Sequence, residues 1–332
     1  MISGIKQPVL LFDAVKKKEG SDMRKYKKTL ALCLAALLAL EFSGGGGSRQ
    51  ALTALAQPAE SGAAPERKMV SGSPDAVRTV TGSNAGKQAA AAEEPYVVGE
   101  TAFATLAEAL EAVTEEKAEI VLQADAEETE KVNIEKTVTI CLNGHNISLA
   151  SGKNIIIGSG AAVIIQGDGQ QGTDGKVAGN ITAYAGTALT VENCTVEGQL
   201  TAHGSSTVTD SLVTSTKSPA FTVNNQNAAV KLSGSLFLFT GTPSGSGVAS
   251  AVKFGAADTV KMEGCTVQGP REGIYFSGAV REAVIDGCAI QGANKEGISF
   301  YGLEAGNTVT VTNSLVSSEE GNAVSASWNM DK

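Results

Sequence analysis

The sequence predicts an all-β protein: a single-stranded parallel β-helix, a solenoid whose first coil is covered by an N-terminal capping α-helix. Two interleaved repeats and one corner rule lead there. The first repeat reads apolar, polar, apolar, polar, then Asn, Asp or Gly, then Cys or Ser, any residue, and an aliphatic or Phe. Its copies begin with Leu189-Thr-Val-Glu-Asn-Cys-Thr-Val196, Ser206-Thr-Val-Thr-Asp-Ser-Leu-Val213 and Val230-Lys-Leu-Ser-Gly-Ser-Leu-Phe237. Val260-Lys-Met-Glu-Gly-Cys-Thr-Val267, Ala283-Val-Ile-Asp-Gly-Cys-Ala-Ile290 and Val309-Thr-Val-Thr-Asn-Ser-Leu-Val316 follow. The pivots Cys194, Ser211, Ser235, Cys265, Cys288 and Ser314 lie 17, 24, 30, 23 and 26 residues apart. Repeats of that length, built from strands with no helix between them, stack rather than fold alone.

The second repeat falls between copies of the first, at Ala220-Phe-Thr-Val223, Ala251-Val-Lys-Phe254, Gly273-Ile-Tyr-Phe276, Gly297-Ile-Ser-Phe300 and Ala323-Val-Ser-Ala326. Alternate side chains of a strand face opposite ways. One inward column is therefore Val223, Phe254, Phe276, Phe300 and Ala326, and the intervening, mostly polar column includes Tyr275. The corner residues Asn193, Asp210, Gly234, Gly264, Gly287 and Asn313 are the types that tolerate a left-handed backbone. The Cys or Ser after each corner reads as a small side chain turned inward. Cys265 and Cys288 fall on neighbouring coils, where in-register geometry disfavours a disulfide.

Before the repeats, the chain divides by composition. Residues 1–56 read as an upstream stretch, with Met23 the natural start, followed by a secretory signal. The basic Arg24-Lys-Tyr-Lys-Lys28 precedes the apolar Thr29–Leu40, with cleavage expected after Ala54-Leu-Ala56. That apolar run is shorter than the ~20 residues of a membrane span, so no transmembrane segment is expected after signal removal. Residues 57–94, rich in Ala, Gly, Ser, Pro and Glu, read as a linker. Order starts near Tyr96, and residues 95–332 form the solenoid. Phe103, Leu106, Leu110 and Val113 recur at helical spacing, with Thr101 as the expected N-cap. Such a helix suits the task of covering the first coil.

Residues 1–56 hold nine Lys or Arg and four Asp or Glu, so the remainder carries 17 basic and 31 acidic residues, a net charge of −14. An acidic body argues against nucleic acid as a partner.

The helix and the segment Val138-Thr-Ile-Cys-Leu-Asn-Gly-His-Asn-Ile147 resemble the first coils of the pectin-lyase-like superfamily. The later Asn/Gly-Cys/Ser corners are similar to that superfamily's repeats. The resemblance spans about residues 96–328 and implies a right-handed parallel β-helix. It also implies a secreted or cell-surface setting and contact with polysaccharide or cell-surface glycan. It does not choose among lyases, glycoside hydrolases, adhesins and structural proteins.

The chemistry of the chain separates these. Lyases of that fold use clustered carboxylates for calcium and a basic residue as proton acceptor. The hydrolases need several Asp at set places. No Asn-Thr-Asp, Asp-Asp pair or Arg-containing lyase signature occurs. His145 and His203 are the two histidines; the first reads as a turn residue and the second as solvated. Gly167–Gly175 reads as a surface loop without the ligand spacing of a calcium hand. Glu263 and Asp286, outward at one repeat position on adjacent coils, are the candidate calcium ligands. Glu272, Glu296 and Glu320 form a second acidic column, with Arg271 and Lys295 at hand to neutralise it. Tyr275 and Tyr301 are the candidate sugar-facing rings. The outward set Thr190, Thr207, Lys231, Lys261, Val284 and Thr310 is too mixed for ice binding.

The expected function is a non-catalytic scaffold or adhesion module that binds glycan and needs no cofactor. A lyase or hydrolase of acidic polysaccharide is the alternative. At the C-terminal end the strand Val324–Ala326 lies a few residues from Lys332 with no covering helix in view. The expectation is a piece of a longer surface protein, or end-to-end pairing of copies.

Overall fold

A computed structural model describes residues 10–12, 94–115, 117–167, 175–217, 219–242, 249–304 and 306–327. The segments expected to be a signal (24–56) and a linker (57–93), and residues 168–174 of the Gly-rich loop, lie outside these residues.

Three ladders of parallel strands run through the chain in strict rotation, an arrangement compatible with a β-helix-like solenoid. The first coil is Ala118–Leu122 in ladder A, Ala126–Glu128 in ladder B and Val132–Ile134 in ladder C. The next coil pairs with it strand for strand: Val138–Cys141, Asn146–Leu149 and Asn154–Ile157. The rotation continues to Thr308–Thr312, Leu315–Ser318 and Val324–Ser327. Ladder B alone is a 9-stranded sheet. Ladders A and C share the 12-residue strand Val252–Glu263, which turns from one face to the other. In the Ser235-to-Cys265 interval, the longest, extra residues lie between the strand ending at Phe239 and the one starting at Val252.

Both repeats face the core as their alternation requires. In ladder A one inward column runs Ile140, Ile165, Val191, Val208, Leu232, Met262 and Ile285 in register, each essentially fully buried. In ladder C, Phe254, Phe276 and Phe300 are register partners. Their ring centroids follow one another at 5.0 Å. Offset rings at this distance combine burial with a favourable quadrupole arrangement.

The corners confirm the backbone argument. Asn193, Asp210, Gly234, Gly264, Gly287 and Asn313 all have φ between +47° and +62°. Their following residues do more than fit. Ser211, Ser235 and Ser314 donate their hydroxyls to the carbonyls of Thr209, Ser233 and Thr312 at 2.7–2.8 Å. The same hydroxyls accept from the backbone N–H of the preceding coil's pivot: Cys194 to Ser211, Ser211 to Ser235, and Cys288 to Ser314. The thiols of Cys265 and Cys288 bond the carbonyls of Glu263 and Asp286. The pivot column is thus a hydrogen-bonded ladder within the interior, where each polar group needs a partner.

The helix spans Leu106–Ala112, shorter than the apolar spacing suggests. Its N-cap is Thr105, in a capping box with Glu108; Thr101 instead opens the strand Thr101–Phe103. Phe103 shares the spacing but belongs to that strand. It is antiparallel to Tyr96–Val98, which also pairs antiparallel with Ala118–Leu122. Leu106, Ala109, Leu110 and Val113 are buried in the common core. Among the described residues no helix is long and apolar enough to cross a membrane.

Candidate functional site

Tyr275 and Tyr301 lie on neighbouring coils of ladder C, on the strands Ile274–Phe276 and Ile298–Tyr301. The inward neighbours Phe276 and Phe300 hold both strands to the core. Tyr301 is 53% exposed. Tyr275, expected on the surface, is half-buried; its register partners Lys253 and Ser299 flank it. Burial, together with the charges of Glu272 and Tyr301 close by, holds the Tyr275 phenol above its ordinary range. Tyr301 lies two residues beyond Ser299, the register partner of Tyr275, and so on the same outward face, and Glu272 precedes Tyr275 by three residues; the two rings and Glu272 make up the candidate patch.

Glu272 is the part of this patch that sequence reasoning missed. It belongs to the expected acidic column with Glu296 and Glu320, but only Glu272 is buried, at 6% exposure. Lys295 stands 3.9 Å from Oε1, the neutralising role expected of it. Oε2 finds no donor among the described residues. An alternating sequence marks Glu272 as a turn residue; its depth follows from the close stacking of the turns at Gly269, Gly273 and Gly292. A Cβ at Gly269 or Gly292 would lie 2.0–2.1 Å from the carbonyl of Glu272 or Glu296.

Glu263 and Asp286 are direct register partners, as the repeat predicts. Each is engaged separately. Lys261 Nζ lies 3.0 Å from Glu263 Oε1. Asp286 Oδ1 accepts from Thr312 Oγ1 and Asn313 Nδ2, both at 2.8 Å. Those hydrogen bonds, helped by the Lys261 charge, hold the Asp286 carboxyl below its usual range. Among the described residues no three His, Cys, Asp or Glu side chains gather as metal ligands.

The histidines stand apart. His145 Nδ1 is 3.7 Å from Asp125, in the turn after Leu142. His203 Nδ1 faces the Asn224 carbonyl at 3.3 Å. Cys141, Cys265 and Cys288 are in no disulfide among the described residues. The neighbouring Cys288 thiol and burial together hold the Cys265 thiol above its ordinary range. A shallow concavity lies on ladder C, around Tyr184, several coils away from the Tyr275 patch.

Comparison with protein-family models, with curated proteins and with solved structures yields no match.

Proposed function

We propose that this chain is a secreted or cell-surface module of the pectin-lyase-like type, a right-handed parallel β-helix that binds glycan and does not transform it. The observation that carries the reading is the Tyr275–Tyr301 patch. Two tyrosines project from adjacent coils of one rigid ladder, one half-buried and one open, beside the Glu272 carboxylate and Lys295. Tyrosine rings offer an apolar face to the C–H face of a sugar and a hydroxyl to its polar edge. A site built on strands keeps its geometry without ordering a loop, which lowers the cost of binding.

The acidic body disfavours nucleic acid, and the basic-then-apolar start of the chain supports export. The reading needs no cofactor. The helix Leu106–Ala112 serves as the cap of the first coil, and the last coil, with apolar side chains at its surface, pairs with a second copy.

A glycan array probed with the full chain, together with reducing-sugar and unsaturated-product assays, tests the reading. The expected result is glycan binding, weakened by Tyr275→Ala with Tyr301→Ala, and no product. Calcium-dependent release of unsaturated uronides, abolished by Glu263→Ala or Asp286→Ala, would replace it with a lyase.

A further inference from the structure

Ladder C ends each of its early strands at a corner whose residues stack: Glu135 after Val132–Ile134, Gly158 after Asn154–Ile157, and Tyr184 after Asn180–Ala183. The backbone fixes this column, because Gly158 N–H donates to Ile134 and Tyr184 N–H to Ile157, at 2.8 and 3.0 Å. A glycine thus sits between two long side chains. Gly158 is not among the glycines with positive φ, so its conformation does not demand glycine. A side chain added at 158 would crowd this corner. A Cβ there would lie 3.2 Å from Glu135 Cγ.

Around this corner lies an open surface depression of about 410 Å³, bounded by Tyr184, Ile156, Asn133, Glu135, Lys131 and Ser159 together with Gly158. Asn133 and Ile156 are register partners and form its outward-facing floor. The volume suits one small ring. The lining is mixed in a specific way. The Tyr184 ring, 48% exposed, and Ile156 supply apolar contact. The Asn133 amide and Ser159 hydroxyl both donate and accept, Glu135 accepts, and Lys131 donates. One cation and one anion cancel each other, which disfavours a simple anion or cation as occupant. An apolar ligand would use none of the four polar groups, which are exposed. A ring with C–H bonds on one face and hydroxyls on its rim uses every group.

We propose that this depression binds a pyranose unit of a polysaccharide, with Gly158 as the residue that keeps the corner uncrowded and Tyr184 as the stacking platform. The proposal rests on the glycan-binding reading but on none of the residues of the Tyr275–Tyr301 patch.

The test uses the full chain with cello-, chito- and oligogalacturonate hexasaccharides as probes, followed by calorimetry and by amide chemical shifts. Tyr184→Ala and Gly158→Asn are each expected to weaken binding roughly tenfold or more, with far-UV circular dichroism unchanged. Tyr184 is open to solvent, so its variant keeps the test meaningful should Gly158→Asn disturb the corner. The double variant Tyr275→Ala, Tyr301→Ala is expected to retain shifts at residues 133, 156 and 184. Binding lost only in that double variant overturns the Tyr184 depression and leaves the glycan reading standing. Binding lost only with Tyr184→Ala and Gly158→Asn supports the depression and removes the tyrosine patch. No binding of any probe to the parent chain overturns both.

Discussion

The two ends of the solenoid meet the same physical problem with different means. The first and the last coil each have a hydrophobic section to cover and strand edges to satisfy, and at the first coil Tyr96–Val98 pairs antiparallel with the ladder A edge Ala118–Leu122. At the N-terminal end a helix lies over the section and two charged side chains pin its ends. Glu128 Oε1 accepts from the N–H of Leu106 at 2.8 Å, although Glu128 itself is 3% exposed. Lys136 Nζ donates to the carbonyls of Leu110 and Val113 at 2.8 and 2.7 Å. A carboxylate at a helix N-terminus and an ammonium at its C-terminus both oppose the helix dipole favourably and satisfy groups the helix leaves unpaired. Burial beside Glu128 also pushes the Tyr96 phenol far up.

The C-terminal end has no such cover among the described residues. Burial fades coil by coil: Ile285 is fully buried, Val309 is 2% exposed, Val311, Val316 and Val324 are half-buried, and Leu315 is 50% exposed. Among the described residues a further strand meets the last coil only in ladder A, where Leu10–Phe12, from the stretch read as upstream of the exported chain, pairs in parallel with Val309, Thr310 and Val311. Ladders B and C end at Leu315–Ser318 and Val324–Ser327, each paired on one side. The difference teaches that repeat regularity stabilises the middle of a solenoid and does nothing for its ends, which need separate devices.

The comparison can be broken first in the middle. Phe276→Ala removes a fully buried ring from the phenylalanine stack and is expected to cost ~3–5 kcal/mol in chemical denaturation. A loss under 1 kcal/mol would show that the stack is not the core it looks like.

The capped end comes next. Glu128→Ala leaves the Leu106 N–H buried without an acceptor, an expected loss of ~1–3 kcal/mol. Hydrogen exchange should quicken in residues 106–113 and the first coil, and hardly at all near residue 300. Lys136→Met should act on the same residues to a smaller degree.

The open end should respond to concentration. If the last coil pairs with another copy, light scattering will show mass rising with protein concentration, and Leu315→Glu will keep the chain monomeric. A parent chain that stays monomeric at all concentrations would leave the last coil as a frayed end, with exchange in residues 315–327 far faster than in residues 254–300.

The smallest effect is a pH dependence. Asp286 ties the eighth coil to the ninth through Thr312 and Asn313, and its folded pKa lies below the unfolded value. Its contribution is therefore complete above the unfolded carboxyl pKa of about 3.9 and disappears as pH falls through the lower folded value. Asp286→Asn should flatten that part of the acid-unfolding curve. Because the side chain is only half-buried, solvent screening keeps the change small.

The sequence by itself determined the rotation of strands, the inward columns and the corners. These are local matters: alternation puts Phe254, Phe276 and Phe300 on one face, and Asn, Asp or Gly is needed wherever φ turns positive. It also named residues of the candidate site, Tyr275 and Tyr301, because they fall in an outward column. Only the tertiary structure decided what stacking does to those positions. Coils laid one upon another half-bury Tyr275 and bury Glu272, and they turn the Cys and Ser pivots into a hydrogen-bonded ladder. They set Lys261 beside Glu263, and Thr312 and Asn313 against Asp286. They bring Glu128 and Lys136 to opposite ends of a helix 22 and 23 residues away from its bonded groups. They also place Gly158 between Glu135 and Tyr184. Each of these depends on which residue lies one coil above or below, and that offset varies from 17 to 30 residues along the repeats. A strand's own alternation states which way a side chain points; its neighbour across the ladder is set by register, and register is a property of the assembled coils.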